Sequence, residues 1–160
     1  MEARELHFTR YADDMMIFCR TRRAAERVFE SITKFIETKL LLKVNREKSK
    51  VCYVGDSGLK FLGYGFSQSG KRILPTIHRK TKVKFKEKIR GILKRNRGQS
   101  RDKFTSDLRT YLTGWCEYFK LARCRRWVVD TDEWIRRRIR MLYWKRWKRV
   151  RTRFAVLKKL

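Results

Sequence analysis

Acidic residues, prolines and long apolar runs are all scarce in this chain, and each scarcity excludes something. Only 16 Asp and Glu oppose 44 Lys and Arg across 160 residues, leaving a formal charge of +28. A surface so one-sided repels itself unless a polyanion neutralises it, which narrows the partners to nucleic acid, an anionic membrane surface or an acidic protein. No stretch approaches the ~18 apolar residues of a membrane span. The start, Met1-Glu2-Ala3-Arg4-Glu5, has no apolar signal-peptide stretch. Four cysteines (Cys19, Cys52, Cys116, Cys124) lack C-x-x-C spacing, and His7 and His78 are scattered. Buried free thiols in a reducing compartment are therefore expected, in place of a zinc site or disulfides.

What is present argues for a folded protein. Hydrophobic residues make up 42% and aromatics 13%, more than a disordered basic tail carries. The charge is also unevenly placed. Residues 1–75 hold 15 basic and 9 acidic side chains, net +6, and residues 76–160 hold 29 and 7, net +22. The change falls at Pro75, the only proline, which marks a boundary between a region 1–75 and a region 76–160.

The first region reads as α+β. Apolar runs at 6–10 and 15–19 flank Ala12-Asp13-Asp14, which predicts a β-hairpin. Thr21 is placed to cap a helix over Arg22–Leu41, with Ala25, Val28, Phe29, Ile32, Phe35, Ile36 and Leu40 on one face. Strands are predicted at Lys50–Val54, Leu59–Phe66 and Lys71–Leu74, separated by Gly-rich turns. After Pro75 only helices are expected, over His78–Lys94, Arg101–Leu121 and Thr131–Arg151. Their inward stripes are Phe85, Ile89, Ile92 and Leu93; then Phe104, Leu108, Tyr111, Leu112, Trp115, Tyr118 and Phe119; then Trp134, Ile135, Ile139, Leu142, Tyr143 and Trp147. Three amphipathic helices on short links predict a small bundle.

Asp13 and Asp14 are the chemical centre of the first region. Two adjacent carboxylates at a hairpin tip repel unless a cation sits nearby, and Mg²⁺ takes hard oxygen ligands of this kind. Alone, the dipeptide reads far better as a solvated turn. Its neighbours decide. Arg10-Tyr11-Ala12-Asp13-Asp14-Met15-Met16-Ile17 is followed by a helix with paired alanines (Ala24, Ala25). Then come Asn45-Arg46-Glu47-Lys48-Ser49 and Lys60-Phe61-Leu62-Gly63-Tyr64. That order of hairpin, helix, N-x-E-K-[ST] and F-L-G-[YF] resembles the second half of the palm of group II intron-encoded reverse transcriptases. Leu112-Thr113-Gly114-Trp115-Cys116-Glu117-Tyr118-Phe119 is similar to the G-W-x-x-Y-F signature of the same family's maturase-specific region, its thumb or domain X. Asp132–Arg140 and Trp144–Lys148 are similar to a later helix of that region.

The resemblance implies an α+β fold: the second half of a reverse transcriptase palm, with antiparallel hairpins and a helix, followed by an all-α three-helix thumb/maturase bundle. It implies part of an RNA-directed DNA polymerase/intron maturase that binds group II intron RNA, assists splicing and reverse-transcribes the intron. Asp13 and Asp14 would be catalytic ligands of a two-metal Mg²⁺ site, displayed on a hairpin with Tyr11 and Ala12. Phe61, Leu62 and Gly63 would help hold the primer terminus. Partners would be intron RNA, an RNA/DNA primer-template and, in the full-length protein, dNTP, in a bacterial cytoplasm or an organelle. Complete members carry another metal-binding aspartate upstream of this hairpin. The chain is accordingly expected to be a fragment whose Mg²⁺ site is incomplete and which has no polymerase activity alone. The competing reading is a non-enzymatic basic RNA-binding module or a degenerate remnant.

The basic residues carry a separate argument. Arg136, Arg137, Arg138, Arg140, Lys145, Arg146, Lys148 and Arg149 crowd one segment whose nearby acids are Asp132 and Glu133. A solvated helix offsets cations with acids at i+4 spacing, so an RNA-phosphate surface fits better. Lys80 and Lys82, in the run Lys80–Lys86, form a second basic edge.

Overall fold

The computed structural model describes residues 6–70, 72–94, 100–147 and 149–157. The chain forms two compact units, Met1–Ile73 and Leu74–Leu160. The elements run β1 (Phe8–Tyr11), β2 (Asp14–Ile17), α1 (Arg22–Lys39), β3 (Tyr64–Ser69), β4 (Arg72–Ile77), α2 (Arg79–Ile92), α3 (Arg101–Tyr118), α4 (Arg125–Arg146) and α5 (Val150–Leu157). Strands β1 and β2 pair with each other, as do β3 and β4, so the fold is α+β, with two small hairpins and five helices among the described residues.

In the first unit, α1 begins where the sequence places it. Thr21 is extended, and its hydroxyl accepts the Ala24 N–H at 3.2 Å. The helix ends two residues earlier than predicted. Leu41 turns into the left-handed region at φ 53°, and the Leu42 N–H bonds back to the Ile36 carbonyl at 3.2 Å. A left-handed residue just past a helix is usually glycine, because a side chain there meets its own carbonyl.

The predicted strand at Lys50–Val54 is not formed. Asp56 instead folds the chain into a turn, its carboxylate accepting the Tyr53 N–H at 3.2 Å while its own N–H bonds Tyr53 O at 3.0 Å. Local side-chain bonding of this kind competes with a sheet ladder. The strand predicted at Leu59–Phe66 starts only at Tyr64. Strand β4 runs through Pro75, which suits the edge of a two-stranded ribbon because proline has no N–H to donate.

The second unit holds the core. Phe85, Ile89, Ile92, Leu93, Phe104, Leu108, Ile135 and Leu142 are buried together, with Tyr111, Leu112, Trp115, Trp127, Trp134, Ile139 and Tyr143 packed against them. Among the described residues every buried large apolar side chain lies at Ile77 or beyond. The stripe predicted on α1 is only partly covered: Ala25, Val28, Phe29, Ile32 and Ile36 are half-buried, Phe35 and Leu40 are exposed, and the fully buried side chain is Thr33. Tyr118 is likewise exposed, whereas its neighbour Phe119 is buried.

Helix α2 starts on His78, whose Nδ1 accepts the Lys80 N–H at 3.2 Å, and α3 starts on Ser100, whose hydroxyl accepts the Lys103 N–H at 3.3 Å. Helix α4 begins at Arg125, six residues before its predicted start. The tight link ahead of it is held by Ala122 N to Phe119 O (3.0 Å) and Arg123 N to Pro75 O (2.7 Å). The predicted continuation to Arg151 breaks at Trp147, whose backbone is extended and whose carbonyl accepts from Arg153 Nε at 2.6 Å. The short α5 follows, a fourth helix among the described residues of this unit where three were expected. The link at 95–99 lies outside the described residues.

Candidate active-site hairpin and basic helical face

Strands β1 and β2 pair in the register Phe8↔Ile17, Thr9↔Met16, Arg10↔Met15 and Tyr11↔Asp14. Tyr11 and Asp14 close the ladder, leaving Ala12-Asp13 as a two-residue turn. Ala12 takes φ 50°, and Arg10 Nε donates to its carbonyl at 3.0 Å. Hairpin turns need positive φ to match strand twist, and alanine enters that region against its own Cβ. Directly opposed residues share a face. Tyr11 and Asp14 therefore lie side by side, with Thr9 and Met16 behind them. Arg10 and Met15 occupy the other face, and Asp13 stands on the turn itself. Tyr11, Ala12, Asp13 and Asp14 are all exposed. The carboxylates offer hard oxygen donors of the type Mg²⁺ takes. Among the described residues no His, Cys, Asp or Glu group of three or more assembles around them or elsewhere.

Two further motifs of the first unit adopt compact local forms. Asn45 Oδ1 accepts the Glu47 and Lys48 N–H groups, each at 3.1 Å, and the Ser49 N–H bonds Asn45 O at 2.9 Å. The N-x-E-K-S stretch is thus one capped turn. Phe61 and Tyr64 exchange both backbone bonds, at 3.0 Å and 2.8 Å, around Leu62 (φ 49°) and Gly63 (φ 84°). Two positive φ values in a two-residue loop define a type I′ turn, so Phe61-Leu62-Gly63 is a hairpin corner and not a continuous strand.

On α4 the predicted basic residues separate into two groups. Arg136, Arg137 and Arg140 are exposed on the outward side, but Arg136 Nε is paired to Asp132 at 2.8 Å. Helix α4 starts six residues earlier than the sequence suggested, so Asp132 is its eighth residue and faces Arg136 at i,i+4 spacing within a formed helix. Arg138 leaves that outward group. It is half-buried, with its guanidinium carbon 5.3 Å from the Trp134 ring centroid. Lys145 and Arg149 are exposed. The Arg146 side chain and Lys148 lie outside the described residues. On α2, Lys80 is exposed and Lys82 is half-buried against Trp127, 5.4 Å from its centroid.

Sequence reasoning missed Arg90, which stands 5.7 Å from the Trp134 centroid beside Lys86 at 5.6 Å. Its signal was the i, i+4, i+8 spacing of Lys82, Lys86 and Arg90, visible only once the partner helix is known. The cysteines are free, but Cys116 is exposed where burial was expected. Burial pushes the Cys124 thiol up from its ordinary range, partly offset by the nearby Lys82 ammonium. Among the described residues no helix is long and apolar enough to cross a membrane.

Residues 1–66 match the family model of reverse transcriptase (RNA-dependent DNA polymerase), and residues 82–160 match that of the group II intron, maturase-specific domain. No curated protein matches the chain.

Proposed function

We propose, for a chain that belongs to the group II intron reverse transcriptase/maturase family, that the helical unit binds structured intron RNA through its phosphates and thereby assists splicing. The observation that carries this reading is the concentration of charge, net +22 over residues 76–160, in the region that matches the maturase-specific domain. Exposed Arg137 and Arg140 make no ion pair among the described residues, so their charge is available to a polyanion. A-form RNA is read through backbone and shape, which suits such a face.

In the same reading the hairpin belongs to reverse transcription. Asp13 and Asp14 would hold Mg²⁺ beside primer-template and dNTP, and the metal, when bound, supplies charge stabilisation for nucleotidyl transfer. Tyr11 and Ala12 set the tip that displays them, and the Phe61-Leu62-Gly63 corner would steady the primer terminus. Because the carboxylates and the basic face belong to separate compact units, a second reading stands beside this one. In it the chain is an RNA-binding module whose action needs no chemistry at the hairpin.

The test is binding of the purified chain to a structured group II intron RNA across a salt series. Tight binding that falls steeply with salt, and exceeds binding to heparin at equal charge, supports the maturase reading. Equal affinity for heparin reduces it to unspecific charge. In the complete reverse transcriptase that carries this hairpin, Asp13→Asn should abolish Mg²⁺-dependent primer extension while leaving RNA affinity unchanged. Retained extension would remove the carboxylates from the proposal.

A further inference from the structure

Three cations from two helices converge on one indole. Lys86 Nζ and the Arg90 guanidinium carbon, both on α2, lie 5.6 Å and 5.7 Å from the Trp134 centroid on α4, and the Arg138 guanidinium carbon lies 5.3 Å from it. Along the same seam Lys82 Nζ stands 5.4 Å from Trp127. Lys82, Lys86 and Arg90 fall at i, i+4 and i+8, so they make one row down α2 covering ~12 Å of its axis. Trp127 and Trp134 are two turns apart on the facing flank of α4. The three cations round Trp134 share a centre, so any two lie within ~11 Å, near the screening length of physiological salt.

The plain account of such contacts is packing, since lysine and arginine stems cover apolar edges. Two observations exceed it. First, among the described residues no carboxylate pairs with Lys82, Lys86 or Arg90, although four ion pairs form elsewhere. Asp130, on the same flank of α4, also makes no ion pair among the described residues. Second, an aromatic face holds a cation in place without cancelling its charge, which a carboxylate would do. Lys82, Lys86 and Arg90 therefore present fixed charge that no ion pair among the described residues offsets. The length of the seam spans a few phosphates along one strand of a nucleic-acid duplex.

We propose that Lys82, Lys86, Arg90 and Arg138, positioned by Trp127 and Trp134, form a clamp for the sugar–phosphate backbone of duplex RNA along the α2–α4 seam. The clamp rests on the RNA-binding reading above, but it uses the seam and not the outward arginines of α4. Trp134 is a positioning residue in it, its ring face being occupied by cations and not by a base.

The experiment compares two double variants of the full chain with equal net charge. Lys86→Gln with Arg90→Gln removes two seam cations. Arg22→Gln with Lys120→Gln removes two exposed cations that are ion-paired elsewhere. Both keep residues of good helix propensity. For the seam variant, affinity for a duplex RNA should drop about tenfold or more, and the slope of log affinity against log salt should shrink by roughly 2, about 0.9 per lost phosphate contact. The control pair should leave the slope nearly unchanged. Equal loss in both variants, or an unchanged slope in a folded seam variant, overturns the clamp. A seam variant that keeps its RNA slope but loses phosphatidylserine vesicles assigns the seam to a membrane surface and also overturns it. Should the seam variant not fold, lysine acetylation of the wild-type chain decides. Lys82 and Lys86 must be protected by RNA more than Lys120, and equal labelling counts against the clamp. Absence of any RNA binding by the wild-type chain fails the underlying reading, and is distinguishable from failure of the seam alone.

Discussion

Phe85 of α2 and Trp115 of α3 set their ring centroids 4.4 Å apart at an interplanar angle of 49°. Tyr111 and Trp127 close on the same phenyl ring at 5.6 Å each, and Trp115 meets Phe119 at 4.7 Å. The tryptophan of the G-W-x-x-Y-F stretch is thus a wall of the helical core, and the phenylalanine that ends it is buried. Of the three aromatic residues in that stretch only Tyr118 faces out.

Removing Phe85 should consequently be severe. Phe85→Ala is expected to cost about 3–5 kcal/mol, the range for a buried aromatic, because the rings around it cannot collapse into the space. Tyr118→Ala should cost far less. Chemical denaturation of the two variants, followed by helical circular dichroism, measures both, and comparable losses would contradict this packing.

The hairpin turn makes a second prediction. Ala12→Gly should stabilise β1–β2 by up to about 1 kcal/mol, since glycine enters positive φ without the Cβ clash. Ala12→Val should weaken it. Protection of the Phe18 amide, bonded to His7 O at 2.9 Å, reports the difference by hydrogen exchange.

The two units should differ in protection. With its buried apolar side chains all at Ile77 or beyond among the described residues, the helical unit should hold the slowest-exchanging amides, around Ile89 and Leu93. Amides of α1 should exchange faster, because helical stability comes mostly from a packed face. Equal protection of α1 and α2 would show that burial does not set the order.

Outward and seam arginines should separate by experiment. Arg137→Gln with Arg140→Gln should leave the melting temperature nearly unchanged, as surface substitutions do. Arg138→Gln should lower it measurably, through lost contact with Trp134.

Thiol chemistry gives an independent readout of the same seam. Alkylation at pH 8 should label exposed Cys116 first and Cys124 last, because burial raises the Cys124 pKa and the thiolate is the nucleophile. Lys82→Gln removes the charge that lowers that pKa, so Cys124 should react more slowly still. Faster reaction would place Lys82 away from the thiol.

Much of the arrangement was legible before any coordinates. Thr21 announced α1 by its cap chemistry, and all four inward residues assigned to α2 are buried. The misses have physical causes. Asp56 drew its backbone into a turn where alternation suggested a strand. Leu62 and Gly63 reversed the chain inside an apolar run that reads as extended. Tyr118 fits the stripe of α3 by period, yet at the end of the helix it is the next residue, Phe119, that turns inward onto Trp115 and Tyr118 that stays exposed.

Local and cumulative features are written in the chain itself: the one-sided charge, the period of each helix, the caps, and the ordered motifs from Tyr11-Ala12-Asp13-Asp14 to the Gly114-Trp115 stretch. These depend on neighbours a few residues apart, and spacing alone reports them. Tertiary structure decided which apolar stripes are covered and which cations share a ring. Arg90 and Arg138 are 48 positions apart and meet only because α2 and α4 pack around Phe85 and Ile135. No periodicity within either helix contains that encounter.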